Sequence, residues 1–123
     1  MTGLVDLYWV DLGSTLDGGL ARRERFMSAA LFFEFNGVSA REYRAVNRLL
    51  ELDPNTGDGA WPVGLRSHTG AASDDGFFVF EVWDSQEAQA DWMATRLGPV
   101  LTKLGLPEPK RVQWLSVVGH YKP

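Results

Sequence analysis

The order in which two hydrophobic periods alternate is the feature that most limits how this chain can fold. The two-residue period of a strand is found over residues 28–36, 63–69, 77–83 and 111–118. The longer helical period is found over residues 39–50 and 85–104, which gives the order β-α-β-β-α-β. In this split βαβ arrangement both helices cover one face of a four-stranded antiparallel sheet. The sequence therefore predicts a ferredoxin-like α+β domain.

Capping and turn residues mark the ends of the two predicted helices. Ser39 and Glu42 have the spacing of a capping box, in which both side chains bond to free amides at a helix start. Asp84 is predicted to be the N-cap of the second helix. Gly98 and Pro99 are predicted to break or kink that helix, because proline has no amide hydrogen and clashes with the preceding turn.

Residues 1–26 lack this pattern and are separated here from a domain over residues 27–123. The segment contains one short apolar run followed by two turn signals. Two interpretations remain open for it. It can be an N-terminal arm that packs along a sheet edge or across a dimer interface, or a weakly ordered tail before a domain that starts at Met27.

Charge and cysteine content exclude several classes of function. The formal net charge is −4, and the 12 Lys and Arg residues are scattered rather than striped, so we expect no nucleic-acid binding. No apolar run is long enough to span a membrane. The chain contains no Cys, which removes disulfides, thiolate nucleophiles and cysteine-bound metals. No secretory signal is evident, and we expect a cytoplasmic protein.

The predicted strands carry apolar residues on both faces. The first strand is expected to turn Leu31, Phe33 and Phe35 towards the helices, and the third strand is expected to do so with Phe78, Phe80 and Val82. The opposite face would then carry Phe32, Phe77, Val79 and Trp83. A patch this apolar is rarely left bare on a monomer, so we expect a homodimer in which two sheets pair. The alternative is that the N-terminal arm covers the face.

Two stretches of the chain resemble a known group of small bacterial proteins. They are the hairpin region Leu65-Arg66-Ser67-His68-Thr69-Gly70, Asp74-Asp75-Gly76-Phe77 and Glu81-Val82-Trp83-Asp84-Ser85, and the helical Leu97-Gly98-Pro99. This pattern, from about residue 28 onwards, is similar to the antibiotic-biosynthesis-monooxygenase-like proteins of the dimeric α/β-barrel superfamily. The resemblance implies a homodimer with a ligand cavity between sheet and helices in each subunit. It also implies cofactor-independent oxygenation or cyclisation of polyketide-type phenols, among other activities of the superfamily.

His68 is the strongest candidate for a catalytic residue. It lies in the middle of a predicted strand, and a carboxylate across the sheet, from Glu81 or Glu34, could orient its imidazole. The histidine could then remove a proton from a phenol or an activated methylene. The alternative for His68 is a structural role near a dimer interface. The alternative for Glu81 is a structural salt bridge to Arg66. On alternation, His68 is expected to share a face with Arg66.

Five further residues are candidates for substrate binding: Trp83, Trp61, Arg66, Phe32 and Tyr43. The tryptophans could stack on a planar substrate, and Trp61 lies in a glycine-rich segment that could cover the cavity. Tyr43 could donate a hydrogen bond into the cavity. Packing in the core is the ordinary alternative for each aromatic side chain.

No cofactor or metal is implied by the sequence. Phosphate-binding and dinucleotide-binding glycine motifs are absent, and the two histidines have no ligand spacing. The superfamily that the chain resembles includes haem-degrading enzymes, which are expected to offer a helix-borne histidine to the iron, and the second predicted helix contains no histidine. The sequence favours an enzyme that removes a proton from a hydrophobic, aromatic or polyketide-like small molecule with the help of His68. The alternative is a homodimer that only binds a small ligand or is purely structural.

Overall fold

The computed structural model describes residues 28–123, which form one antiparallel sheet with helices against one of its faces. The elements, in chain order, are β1 (Ala29–Asn36), α1 (Ala40–Leu50), β2 (Leu65–Ala72), β3 (Gly76–Trp83), α2 (Gln86–Trp92), a π-helical turn (Met93–Leu97), α3 (Gly98–Lys103) and β4 (Arg111–Ser116). The strands are ordered β2-β3-β1-β4. The predicted ferredoxin-like α+β fold is confirmed. The proposed arm, residues 1–26, lies outside the described residues.

Helix α1 begins and ends as its sequence dictates. The Ser39 hydroxyl accepts from the first turn while the Glu42 carboxylate accepts from the Ser39 amide at 2.8 Å, so the predicted capping box is confirmed. The helix ends at Glu51, which adopts a left-handed conformation with φ 58°. Between these ends, Val46 and Leu50 are buried against the sheet.

The second helical region differs from the prediction in two details. Ser85, not Asp84, is the N-cap, because its hydroxyl accepts from the Ala88 amide and Asp84 instead pairs with Arg66. Gly98 and Pro99 do not break the helix. The turn before them widens to a π-helix, and the Gly98 amide donates to the Met93 carbonyl five residues back. Pro99 then occupies the first turn of α3, where a missing amide hydrogen costs little.

The assignment of sheet faces was correct for β1 and wrong for β3. In the antiparallel register Phe33 lies opposite Val79 and Leu31 lies opposite Glu81. Directly paired residues point to the same face, so the side that carries Leu31 and Phe33 is the helix-facing side of β3 as well. The residues of β3 that face the helices are Phe77, Val79, Glu81 and Trp83. The open face carries Phe78, Phe80 and Val82.

A β-bulge displaces Arg66 from the regular alternation of β2. Leu65 pairs with Trp83 and Ser67 pairs with Val82, so Arg66 is the extra residue on its strand. The expectation that Arg66 shares a face with His68 was therefore wrong. Its guanidinium instead bonds to the carboxylate of Asp84 at the surface. After the bulge, His68 returns to the helix-facing side, directly opposite Glu81.

Candidate functional site

Four polar side chains form a continuous chain of hydrogen bonds on the helix-facing side of the sheet. His68 Nδ1 lies 2.7 Å from Glu81 Oε2, and Trp83 Nε1 donates to Glu81 Oε1 at 3.0 Å. The hydroxyl of Tyr43, on α1, lies 2.5 Å from His68 Nε2. Cross-strand pairing of His68 with Glu81 places the two side chains together, and α1 brings Tyr43 over them.

Donor and acceptor chemistry sets the direction of each hydrogen bond. The indole Nε1–H of Trp83 is a donor only, so Glu81 must accept, as an ionised carboxylate does at both oxygens. Glu81 Oε2 then accepts from the Nδ1–H of His68. A neutral imidazole protonated at Nδ1 has a free lone pair at Nε2, which accepts from the Tyr43 hydroxyl. Every polar side-chain atom in this series of hydrogen bonds is thus paired, and the basic lone pair of the imidazole is on His68 Nε2.

The hydrogen-bonded side chains are almost completely shielded from water. The side chains of His68 and Glu81 are 12% and 6% exposed, and Trp83 is fully buried. A buried carboxylate without partners would cost several kcal/mol, so the two donors to Glu81 are what make its position tolerable. Burial also raises the pKa of Tyr43, and the charge of Glu81 raises it further, while a hydrogen bond from Asn47 opposes the shift.

Aromatic stacking fixes the position of Tyr43. Its ring lies parallel to the imidazole of His68, at 5.8 Å between centroids, and stacks on Phe77 at 4.7 Å. Gly70 on β2 leaves the room for this, because a Cβ there would lie 2.7 Å from Tyr43 Cζ. The ring of Trp61 also lies near His68, with 5.5 Å between ring centroids and the two planes tilted by 55°.

The chain of hydrogen bonds ends at a cavity of about 80 Å³ between the sheet and the helices. Its wall is mainly apolar, with side chains such as Phe33, Leu50 and Met93. The polar exceptions include Tyr43, Asn47, Trp61, His68 and Glu81. An apolar cavity with a few convergent polar groups is the usual form of a small-molecule site.

The loop between α1 and β2 covers one side of the cavity. It is closed by a bridge between Leu52 and Gly59, and the Trp61 indole donates to the Asp58 carbonyl at 3.1 Å. Arg96 holds the loop to the rest of the domain, because its guanidinium donates to the carbonyls of Leu50 and Ala60. Trp61 is thereby held at the cavity wall, and its role in covering a substrate stays a prediction.

The structure brings together only some of the residues predicted for the site. His68, Glu81, Trp61 and Tyr43 line the cavity, and their predicted roles remain predictions. Trp83 lies behind Glu81 and supports the carboxylate rather than lining the space. Sequence reasoning missed Asn47, a buried polar residue one helical turn from Tyr43. Its placement within the apolar stripe of α1 was the signal available.

Three candidates lie away from the cavity. Phe32 and Glu34 are on the open face of the sheet, because alternation along β1 separates them from Leu31 and Phe33. Glu34 lies 3.6 Å from Lys110 and cannot orient His68 within the same chain. Arg66 is held at the surface by Asp84, does not bridge to Glu81 and does not line the cavity.

Within residues 28–123, no group of three metal-binding side chains lies close enough together to hold an ion. In the same part of the chain, no helix is both long and apolar enough to cross a membrane.

Several solved structures share this fold. A protein from Chloroflexus aurantiacus J-10-fl, provisionally named an antibiotic biosynthesis monooxygenase, has 16% identity and a TM-score of 0.56, covering 77% of this chain and 97% of that one. A protein of unknown function from Nitrosomonas europaea has 15% identity and a TM-score of 0.58, with 80% and 97% covered. Rv0793 from Mycobacterium tuberculosis has 16% identity and a TM-score of 0.57, with 77% and 99% covered.

No protein-family model matches the chain, and no curated protein matches it. At 15–16% identity the similarity to solved structures concerns the fold alone. The chain therefore shares its ferredoxin-like fold with proteins that include one provisionally named an antibiotic biosynthesis monooxygenase.

Proposed function

We propose that this protein is a cofactor-independent enzyme that removes a proton from a small hydrophobic molecule of aromatic or polyketide-like type. The observation that carries the proposal is the buried chain Tyr43–His68–Glu81–Trp83, which ends in an apolar cavity. A base needs a lone pair, an orienting partner and shelter from water, and His68 has all three. The resemblance to antibiotic biosynthesis monooxygenases points to the same class of reaction.

The hydrogen bond between Tyr43 and His68 suggests how the proton travels. Nε2 of His68 is covered by the Tyr43 hydroxyl, so the phenol oxygen is the group available to the substrate. The substrate's C–H or O–H proton passes to the Tyr43 oxygen as the tyrosine proton passes to Nε2. The products are a substrate carbanion or phenolate and an imidazolium, whose charge is balanced by the Glu81 carboxylate 2.7 Å away.

Deuterium exchange into a ketone tests proton removal without knowledge of the natural substrate. The probe is 2-indanone, a planar ketone with acidic benzylic hydrogens, followed by proton NMR in deuterated buffer. We expect the wild type to accelerate exchange and His68→Gln to lose at least about 100-fold of that acceleration, the usual range for a general base. Arg41→Gln, an exposed change on α1, is the control. Equal exchange by the wild type and His68→Gln would refute the assignment.

One observation favours a second function, a non-catalytic homodimer that binds a small ligand. Both ring nitrogens of His68 already have protein partners, as those of a structural histidine do. In that case the wild type would bind 2-indanone without accelerating exchange.

For the enzymatic function, an oxygen electrode read during the same incubation separates oxygenation from simple enolisation.

The homodimer is also a proposal, and the open face of the sheet supports it. Phe80 and Leu115 on that face are 42% and 41% exposed, and Phe32 and Phe78 contact each other beside them. Leaving such an aromatic patch in water is unfavourable, and a second copy of the same face would cover it. Phe32 lies on this face as expected from the sequence, but the β3 residues differ from those expected, because the faces of β3 are exchanged.

A further inference from the structure

A groove runs along the outer side of Tyr43, between α1 and the edge strand β2. Its volume is about 480 Å³, compared with about 80 Å³ for the cavity. Four residues line both spaces: Tyr43, Asn47, Leu52 and Phe77. The groove and the cavity are thus the two sides of one thin wall of side chains, and the wall contains the Tyr43 hydroxyl that bonds to His68.

Small residues on β2 keep this groove open. Beyond His68, the helix-facing positions of the strand are Gly70 and Ala72, and both line the groove. Larger side chains at these two positions would fill the space between the edge strand and α1. Gly70 lies so close to the Tyr43 ring that even a methyl group would collide with it.

Two arginines border the groove without a partner. Arg44 and Arg48 are one turn apart on α1 and exposed, and their guanidinium groups have no hydrogen bond or ion pair to any residue in the range 28–123. Other arginines of the domain are engaged, such as Arg66 with Asp84 and Arg96 with two carbonyl oxygens. A guanidinium offers several donors in a plane and matches the geometry of a carboxylate.

Among residues 28–123, the one carboxylate that lines the groove is that of Asp53, and it is already occupied. Its Oδ1 accepts from the amides of Asn55 and Thr56 at 2.9 and 3.2 Å. These hydrogen bonds lower the pKa of Asp53, so its negative charge persists. The described residues of the groove supply two guanidinium groups and one carboxylate, an excess of one positive charge, in a chain whose net charge is −4.

We propose that the groove binds a hydrophobic organic acid, with its carboxylate on Arg44 and Arg48 and its reacting end against Tyr43, the wall residue whose hydroxyl bonds to His68. The inference rests on the proposed function and adds the class of substrate to it. The volumes support it, because an enclosed apolar cavity of about 150 Å³ is of the size that holds one benzene, and the cavity here has about 80 Å³. The groove, in contrast, has the size of an ordinary small-molecule site.

A matched pair of probes tests the carboxylate requirement in the full chain. The probes are 2-naphthoate and its neutral amide, 2-naphthamide, titrated by calorimetry into the wild type, the double variant Arg44→Gln/Arg48→Gln and the control Arg41→Gln. Arg41 is exposed on the same helix but does not line the groove. We expect naphthoate to bind the wild type and the control about five- to tenfold more tightly than naphthamide. The double variant should bind both equally.

Amide NMR shifts locate the bound naphthoate. Shifts centred on Gly70, Ala72 and Asn47 support the groove, and shifts elsewhere overturn the proposal. Failure of both probes to bind, equal affinities in the wild type, or a naphthoate preference that survives the double substitution also overturn it. Binding is measured without turnover, so a failed deuterium-exchange assay leaves this result intact. Conversely, His68-dependent exchange without a naphthoate preference would leave the proposed function standing alone.

Discussion

The two faces of the sheet invert the usual distribution of side chains. The helix-facing side buries a carboxylate and an imidazole in the core, at 6% and 12% exposure. The open side leaves Phe80 and Leu115 about two-fifths exposed, in the part of the chain that the structure describes. Both arrangements carry a free-energy cost in a lone subunit, one for desolvation and one for exposed apolar surface. The difference matches the two proposals, which assign chemistry to the inner face and association to the outer one.

Removal of the buried carboxylate is expected to have the largest effect. Glu81→Ala leaves the Nδ1–H of His68 and the Nε1–H of Trp83 without an acceptor in a dry environment. We expect the free energy of unfolding to fall by about 3–5 kcal/mol. The matched control on the open face, Glu34→Ala, breaks only the pair with the exposed Lys110 and should cost less than about 1 kcal/mol.

Urea unfolding at one fixed protein concentration measures both variants, since association would also contribute to stability. Glu81→Gln, which keeps an acceptor oxygen, should recover part of the loss. Similar costs for Glu81→Ala and Glu34→Ala would mean that the buried chain of hydrogen bonds contributes no more than a surface ion pair.

Disruption of the apolar open face is the next largest effect expected. Phe80→Asp places a charge on the face opposite the helices, where a second copy is proposed to pack. Sedimentation velocity should show a dimer for the wild type and at least about a 100-fold weaker association for the variant, as for the loss of a central aromatic contact. Val63→Asp is the control, because Val63 is 93% exposed and lies outside the sheet.

A monomeric wild type would break the comparison between the faces and leave the open face to another partner. The comparison would also fail if the dimer survived Phe80→Asp and was instead disrupted by a substitution elsewhere on the surface.

The order of elements and the ends of α1 could be predicted because they depend on local sequence. The faces of β3 could not, since the set Phe78, Phe80 and Val82 is more apolar than the set that includes Glu81. Burial of Glu81 becomes acceptable only because the strand pairing places His68 opposite it. That pairing and the bulge at Arg66 are consequences of register, which alternation within one strand does not reveal.

The residues of the site that stand out in the local sequence could be predicted, and the contacts between distant elements could not. His68 stood out as a polar residue in the middle of a strand, and Glu81 as an acid within an aromatic one. The hydrogen bond between Tyr43 and His68 joins residues 25 positions apart on different elements. It depends on the small size of Gly70 beneath the tyrosine ring, a requirement that appears only once α1 is packed on β2.

A methyl group at Gly70 should separate Tyr43 from His68 at moderate cost. The added Cβ would lie 2.7 Å from Tyr43 Cζ and 3.0 Å from Phe77 Cζ, so the ring must move. We expect Gly70→Ala to destabilise the domain by about 1–3 kcal/mol, as overpacking does, and to lower the rate of 2-indanone exchange. Gly119→Ala, with no atom within 4 Å of the new methyl, is the control. Unchanged stability in urea would show that the contact relaxes freely.

The smallest effect concerns the Tyr43 hydroxyl and appears at high pH. Burial, and then the charge of Glu81, raise the pKa of Tyr43 above its ordinary value of 10.0. The folded state therefore holds the phenol proton more tightly than the unfolded state does. The stability that depends on this proton is fully present below pH 10.0 and is lost as the pH rises through the raised pKa of the folded protein.

Tyr43→Phe removes both the hydroxyl and this pH dependence. Near neutral pH we expect a loss of about 0.5–1.5 kcal/mol from the missing bond to His68. Above pH 10.0 the unfolding free energy of the wild type should fall more steeply than that of Tyr43→Phe, so the difference between them shrinks. Tyr121→Phe, at a residue 84% exposed, should follow the wild type throughout. Parallel curves for the wild type and Tyr43→Phe would mean that Tyr43 ionises as readily in the folded chain as in the unfolded one, and that the inner face shelters His68 and Glu81 but not the phenol.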